Sequence, residues 1–166
     1  MRTDAIPRTS LGQEYEQHAR DCAALAEHQK ALHYLSLALQ EKGETVTLLN
    51  LRGIWREAIG DKQGARDSYE RAGEASVPKF NLGLMYYRGQ HYQQALAQVE
   101  AAIDMDNDRA YHVLRGDILD KLGKHDQARV EWQDATDGNP DLSALPSFTL
   151  GWMESAARRL GNETLR

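Results

Sequence analysis

The chain has 166 residues, of which 41% are apolar and 27% charged, and its formal net charge at pH 7 is −5. This length fits one domain or one compact run of repeats, and the acidic balance argues against a nucleic-acid-binding protein, which needs a basic surface. No apolar run approaches the roughly 20 residues that span a bilayer. No apolar segment follows the basic N-terminus as in a secretory signal, so a cytoplasmic protein is expected.

An internal repeat runs through most of the sequence. Gly53, Gly83 and Gly116 lie 30 and 33 residues apart, and each is followed by two alanines with a bulky residue between them. These sets are Ala65, Tyr69 and Ala72; Ala95, Val99 and Ala102; and Ala128, Trp132 and Ala135, with a weaker early set of Ala31, Leu35 and Ala38. A small–large–small pattern that recurs at fixed offsets predicts stacked helical repeats.

In chain order, the helical period predicts three helix pairs after the weak first unit. The first helices are 46–59, 78–88 and 110–122, and their partners are 61–74, 91–105 and 124–137. Thr45 and Asp61 are the expected N-caps, and turns are expected at Gly60, Gly89 and Gly123. Pro78 suits a first helical turn, where its missing N–H is no loss.

Glycine also occurs inside each predicted first helix, at Gly53, Gly83 and Gly116. A glycine there costs about 1 kcal/mol relative to alanine. We therefore expect these three positions to be points where two helices approach closely, with the alanines of the partner helix opposite.

These features resemble the tetratricopeptide repeat. The unit at 109–142 has nearly the whole signature: Gly116, Leu119, Gly123, Ala128, Trp132, Ala135 and Pro140. The resemblance covers four repeats at about 12–45, 46–75, 76–108 and 109–142, between tails at 1–11 and 162–166. Arg56 replaces the usual aromatic residue or leucine, and Ala19 replaces the first glycine. The junction with the 30-residue step is similar to the related SEL-type repeat.

The resemblance implies an all-α fold, a right-handed α-α superhelical solenoid of helix-turn-helix repeats. Residues 143–161 are amphipathic, and Arg158 and Arg159 lie near the end of this segment, where the helix dipole favours cations. No partner helix follows. Because a solenoid needs a terminal element that covers its last apolar face, we expect a C-terminal capping helix.

No constellation of catalytic or metal-binding residues is evident. A single cysteine, Cys22, cannot form an internal disulfide or a cysteine zinc site, and it lies in a column that the family uses for packing. The acidic run 104–108 begins like a calcium loop, but Arg109 and Arg115 occupy the places of the required glycine and acid. We expect no enzyme, no cofactor and no metal.

The family resemblance implies that the first helices line a concave binding face. Phe80, Leu84 and Tyr87 form a second apolar stripe at i, i+4 and i+7, which something should cover. Equivalent positions hold Asn50 and Ile54 in the preceding repeat. The predicted partner-binding groove consists of Asn50, Ile54, Phe80, Asn81, Leu84, Tyr87, Arg88, Val113, Asp117, Asp120 and Lys121.

Three occupants of this stripe remain open: a peptide or helix of a partner protein, the chain's own termini (residues 1–11 or the C-terminal helix), and a second copy of the chain. The favoured function is a non-catalytic protein–protein interaction module, an adaptor or scaffold whose protein partner offers apolar anchors. The alternatives are a small secretion or assembly chaperone that holds an apolar substrate segment, and a self-assembling structural scaffold.

Overall fold

A computed structural model describes residues 10–137 and 147–161, with the backbone alone for 147–150. Over these residues the chain forms nine α-helices and no strand. They are α1 (Leu11–Ala24), α2 (His28–Lys42), α3 (Val46–Ala58), α4 (Lys62–Arg71), α5 (Ser76–Arg88), α6 (Tyr92–Met105), α7 (Arg109–Lys121), α8 (His125–Thr136) and α9 (Ser147–Arg159). Pro140, the tail 162–166, most of the tail 1–11 and the start of the predicted capping segment lie outside the described residues.

The chain divides into two compact units. The first ends at Gly73 and contains α1 to α4, and the second begins at Glu74 and contains α5 to α9. Within each unit consecutive helices pack on one another, and in the second unit α9 packs on both α7 and α8. Contacts between sequence neighbours are typical of helical repeats, so the predicted all-α helix-turn-helix fold is confirmed.

Two predicted helix starts are confirmed by their capping hydrogen bonds. The Thr45 hydroxyl accepts a hydrogen bond from the Leu48 N–H at 3.2 Å, and the Asp61 carboxylate accepts one from the Gly64 N–H at 2.9 Å. Each bond satisfies a backbone donor that the first helical turn leaves without a partner. Helix α5 begins at Ser76, two residues before the predicted start, and Pro78 still lies in its first turn.

The turns inside the repeats share one backbone feature. Residues in the left-handed region occur at Ala26, Gly60, Gln90 and Gly123, with φ between 59° and 83°. Each lies seven positions after Ala19 or one of the three helical glycines. The turn expected at Gly89 therefore has its left-handed residue one position later, at Gln90, while Gly89 itself has φ −80°.

The glycines inside the first helices are points of close helix approach, as expected. A Cβ atom at Gly53 would lie 2.3 Å from the Tyr69 ring, and one at Gly83 would lie 2.6 Å from a Val99 methyl group. At Gly116 the same atom would lie 2.5 Å from the Trp132 indole. In every case the atom that the new Cβ would meet belongs to the bulky residue between the two alanines. The spacing of glycine, alanine and bulky residues therefore reflects how each first helix packs against its partner.

The core of the first unit explains two further sequence features. Cys22 is half-buried and packs against a cluster of Ala19, Ala31, Leu35, Leu48 and Trp55. Arg56, which departs from the family pattern, donates a hydrogen bond to the Gly64 carbonyl at 3.0 Å and lies 3.7 Å from the Asp61 carboxylate. A polar contact to the start of α4 thus replaces the usual apolar one.

Candidate partner-binding face

The candidate site in the second unit is the face formed by the two first helices, α5 and α7. Phe80 of α5 stacks on Tyr111 of α7, with ring centroids 4.8 Å apart. Phe80 is 1% exposed and Val113 is fully buried. The sequence proposed both as anchors for an occupant of this face and left three occupants open; in this structure Val113 is fully buried and Phe80 nearly so.

The C-terminal helix α9 covers this face. The Trp152 ring meets the Phe80 ring in a T-shaped arrangement at a centroid distance of 5.7 Å. Ala156 packs in a buried cluster with Val113 and Ala135, against which Trp152 also lies. Of the three occupants that the sequence left open, the chain's own C-terminal helix is therefore the one that lies over Phe80.

A charged pair fixes the other end of α9. Arg159 meets Asp117 of α7 at two points, with Nε 2.7 Å from Oδ1 and an Nη donating to Oδ2 at 2.7 Å. The Trp132 indole N–H donates a third bond to Asp117 at 3.0 Å. Asp117 is 5% exposed, and a two-point arginine–carboxylate pair is geometrically specific as well as strong.

Burial raises the pKa of Asp117 to about 6, although the Arg159 charge and the Trp132 hydrogen bond act in the opposite direction. The Asp117 carboxyl therefore keeps its proton to a higher pH in the folded protein than it does when it is exposed to water. It follows that Arg159 offsets only part of the free energy that burying this carboxylate costs.

Replacing Asp117 by asparagine is expected to change how stability depends on pH. Between the ordinary pKa of 3.8 and the folded value of about 6, the folded state binds the extra proton. The stability contributed by this group therefore falls as pH rises, by at most about 1.4 kcal/mol per pH unit. Asparagine cannot titrate, so D117N should not lose this stability. The difference in free energy of unfolding, D117N minus wild type, should therefore increase between pH 3.8 and about pH 6 and stay constant above that pH.

Urea unfolding of both proteins at intervals between about pH 4 and pH 7 measures this difference. Each comparison is made at one pH, so the titration of all other carboxylates cancels. A difference that stays constant, or that shrinks as pH rises, would contradict the assignment of a buried, weakly compensated carboxylate at position 117.

Beside the charged pair, an open pocket of about 370 Å³ lies between α5, α7 and α9. Tyr87 of α5 lines it together with Asp117, Trp152, Ser155 and Arg159. Burial raises the pKa of the Tyr87 hydroxyl, and the negative charge of Asp117 adds to this effect. Phe80, which lies between Tyr111 and Trp152, is thus buried, whereas Tyr87 is half-buried at the edge of the face.

The other predicted groove residues vary in exposure. In the second unit, Asn81, Leu84 and Asp120 are half-buried, and Arg88 and Lys121 are exposed. In the first unit, Asn50 is half-buried and Ile54 is 40% exposed on α3. Ile54 is thus the large apolar side chain of the predicted groove that remains most open to solvent among those described.

The sequence pattern did not reveal a polar cluster that joins α7 to α8. Glu131 lies 2.9 Å from His112 and 2.6 Å from Arg115. Burial raises the pKa of Glu131, but the hydrogen bonds from His112 and Arg115 outweigh it and hold this pKa below its usual value. Arg115 and Glu131 are 16 residues apart, so only the repeat register could have paired them.

Two structural features bear on other functions. Among residues 10–137 and 147–161, no group of three histidine, cysteine or acidic side chains is placed to hold a metal ion. Within the same residues, each helix is too short or too polar to cross a bilayer.

Comparison with known proteins places the chain among helical-repeat proteins. The family model described as a tetratricopeptide repeat-like domain matches residues 76–145. No curated protein matches the chain in sequence.

Three solved structures have a similar fold. MamA (residues 41 to the end) from Desulfovibrio magneticus RS-1 is 17% identical with a TM-score of 0.68, over 93% of this chain and 88% of that one. TTC0263, a thermophilic TPR protein in Thermus thermophilus, is 18% identical with a TM-score of 0.67, over 91% and 84%. YrrB, described as a TPR protein with an unusual peptide-binding site, is 20% identical with a TM-score of 0.62, over 89% and 77%. At these identities the likeness shows a common fold.

Proposed function

The chain has the tetratricopeptide-repeat fold, with a tetratricopeptide repeat-like domain at residues 76–145, and from this we propose that it is a non-catalytic protein–protein interaction module. The fold supports such a role, and YrrB, which shares it, is described as having a peptide-binding site. The proposed ligand is a peptide or helix of a partner protein, bound on the face of the first helices.

One observation carries the proposal. The first-helix face of the second unit already holds a helix, because α9 lies on it through Trp152, Ala156 and Arg159. A face that packs an aromatic ring, a small side chain and an arginine from one helix has the shape and chemistry to bind another. Burying such anchors is the usual source of affinity for a helix in a groove.

The first unit, considered by itself, has a more exposed apolar residue at the equivalent first-helix position. Ile54 occupies the same repeat position as Leu84 and Asp117, one residue after the helical glycine, and is 40% exposed. Glu57, on the same helix, accepts a hydrogen bond from the Tyr69 hydroxyl at 2.8 Å. An apolar side chain beside a fixed carboxylate would anchor a partner and influence its orientation and association rate.

A site-specific crosslink tests this proposal. The photoreactive residue p-benzoylphenylalanine replaces Ile54 on first helix α3 or, as the matched control, Val130 on second helix α8. Ile54 is 40% exposed and Val130 is 51% exposed. Both positions should therefore accept the larger side chain, and the probe at each position should reach solvent. After irradiation in the native host, a specific protein adduct is expected from position 54 and not from position 130.

Adducts from position 130 alone, or the same adducts from both positions, would refute binding at the first-helix face. An adduct between two copies of the chain at position 54 would replace the adaptor proposal with the self-assembling scaffold. An adduct with an apolar export substrate would favour the chaperone alternative.

A further inference from the structure

Helix α9 does more than extend the stack of repeats. It follows the repeat formed by α7 and α8 and packs on both of them, yet its Trp152 also reaches Phe80 in the preceding repeat. In an ordinary solenoid a repeat contacts its immediate neighbours. A helix that bridges two repeats on the first-helix side lies across the binding face.

Three side chains of α9 contact this face at one regular spacing, while Met153 and Ala157 of the same helix are also buried. Trp152, Ala156 and Arg159 are spaced i, i+4 and i+7, and so lie on one side of a helix. Trp152 meets the Phe80 ring, Ala156 lies in the cluster with Val113, and Arg159 pairs with Asp117. The face therefore binds an aromatic, a small and a cationic side chain that follow one another in that order along a helix.

At the charged end of this contact the two hydrogen bonds from Arg159 only partly offset the cost of burying Asp117. Only one partner of this ion pair is buried, since the Asp117 side chain is 4% exposed and the Arg159 side chain is 34% exposed. Burying a carboxylate costs free energy that its attraction to a partly solvated arginine offsets incompletely. The raised pKa of Asp117 indicates such an offset. An open pocket of about 370 Å³ beside Arg159 also leaves this end of α9 accessible.

We infer that α9 is an internal occupant of the binding face and that the partner is a helix with an aromatic, a small and an arginine side chain at i, i+4 and i+7, which displaces α9. This inference rests on the proposed function. Because α9 is part of the chain, its effective concentration at the face is in the millimolar range. A partner therefore binds weakly until α9 is released.

A peptide-binding experiment on the whole chain tests the inference. The probe is a fluorescein-labelled peptide with the sequence of residues 147–161, titrated with wild type, Arg159→Glu and Arg158→Glu while anisotropy is recorded. Arg159→Glu sets a second carboxylate against Asp117 and should release the internal helix. It should bind the peptide at least tenfold more tightly than wild type.

Arg158→Glu is the matched control, since it changes the charge equally at an exposed neighbouring position. It should bind the peptide like wild type. A peptide in which arginine 159 is replaced by glutamate should lose the gain. Equal binding by Arg159→Glu and Arg158→Glu chains that keep their helical circular dichroism would overturn the inference.

Two further outcomes would also overturn it. Loss of helical signal by Arg159→Glu beyond the 13 residues of α9 would make α9 an integral part of the fold. A concentration-dependent wild-type dimer that Arg159→Glu abolishes would make a second copy the occupant. The crosslinking result at position 54 does not depend on any of these outcomes, so the proposed function is tested separately.

Discussion

Replacing Phe80 by alanine is expected to lower the free energy of unfolding by about 3–5 kcal/mol. Phe80 is 1% exposed, stacks on Tyr111 and forms a T-shaped pair with Trp152. Removing its ring would leave a cavity between α5, α7 and α9, since helices anchored elsewhere along their length cannot fully collapse into it. Urea unfolding followed by circular dichroism measures the loss.

Val77→Ala is the matched control, because Val77 lies on the same helix and is 48% exposed. Its effect should stay within about 0.5 kcal/mol. If Phe80→Ala cost no more than Val77→Ala, Phe80 would be exposed in solution. The position would then be open to a partner, one of the three occupants that the sequence left open.

Replacing Gly83 by alanine is expected to destabilise the second unit by about 1–3 kcal/mol, although alanine favours helix more than glycine does. The new Cβ would lie 2.6 Å from a Val99 methyl group and 3.3 Å from the Ala95 carbonyl oxygen. Valine has one strongly preferred rotamer in a helix, so Val99 cannot turn away. Helices α5 and α6 would have to separate.

Gly151→Ala provides the control for helix propensity. Gly151 is also helical, and a Cβ there would meet no atom within 4 Å, so this change should be neutral or stabilising by up to about 1 kcal/mol. Adding Val99→Ala to Gly83→Ala should give a loss smaller than the sum of the two single losses. Strict additivity would show that Val99 is not the obstacle.

Repeat spacing indicated most of the fold because it reflects local packing. The recurrence of glycine with the alanine sets predicted the helix pairs, and the structure places Gly53, Gly83 and Gly116 against Tyr69, Val99 and Trp132. Contacts of this kind join neighbouring helices over short stretches of chain. Their residue sizes therefore leave a periodic record in the sequence.

The candidate site was predicted only in part. The apolar stripe of Phe80, Leu84 and Tyr87 led to the expectation that something covers this side of α5, and the structure places Trp152 of α9 against Phe80. The helical period of the apolar residues could not identify which segment covers them, since any helix with an apolar face would fit the same stripe. One available signal was the i, i+4 and i+7 spacing of Trp152, Ala156 and Arg159, opposite an acidic position in α7.

The sequence by itself determined the all-α class, the repeat register and the first-helix positions, because each depends on side-chain size and spacing along one or two helices. The tertiary structure decided that α9 lies over Phe80 and pairs through Arg159 with Asp117, 42 residues away. The physical reason is that side chains from distant elements lose their hydration when these contacts form and gain burial and charge pairing instead. Their net free energy depends on geometry that no local pattern encodes.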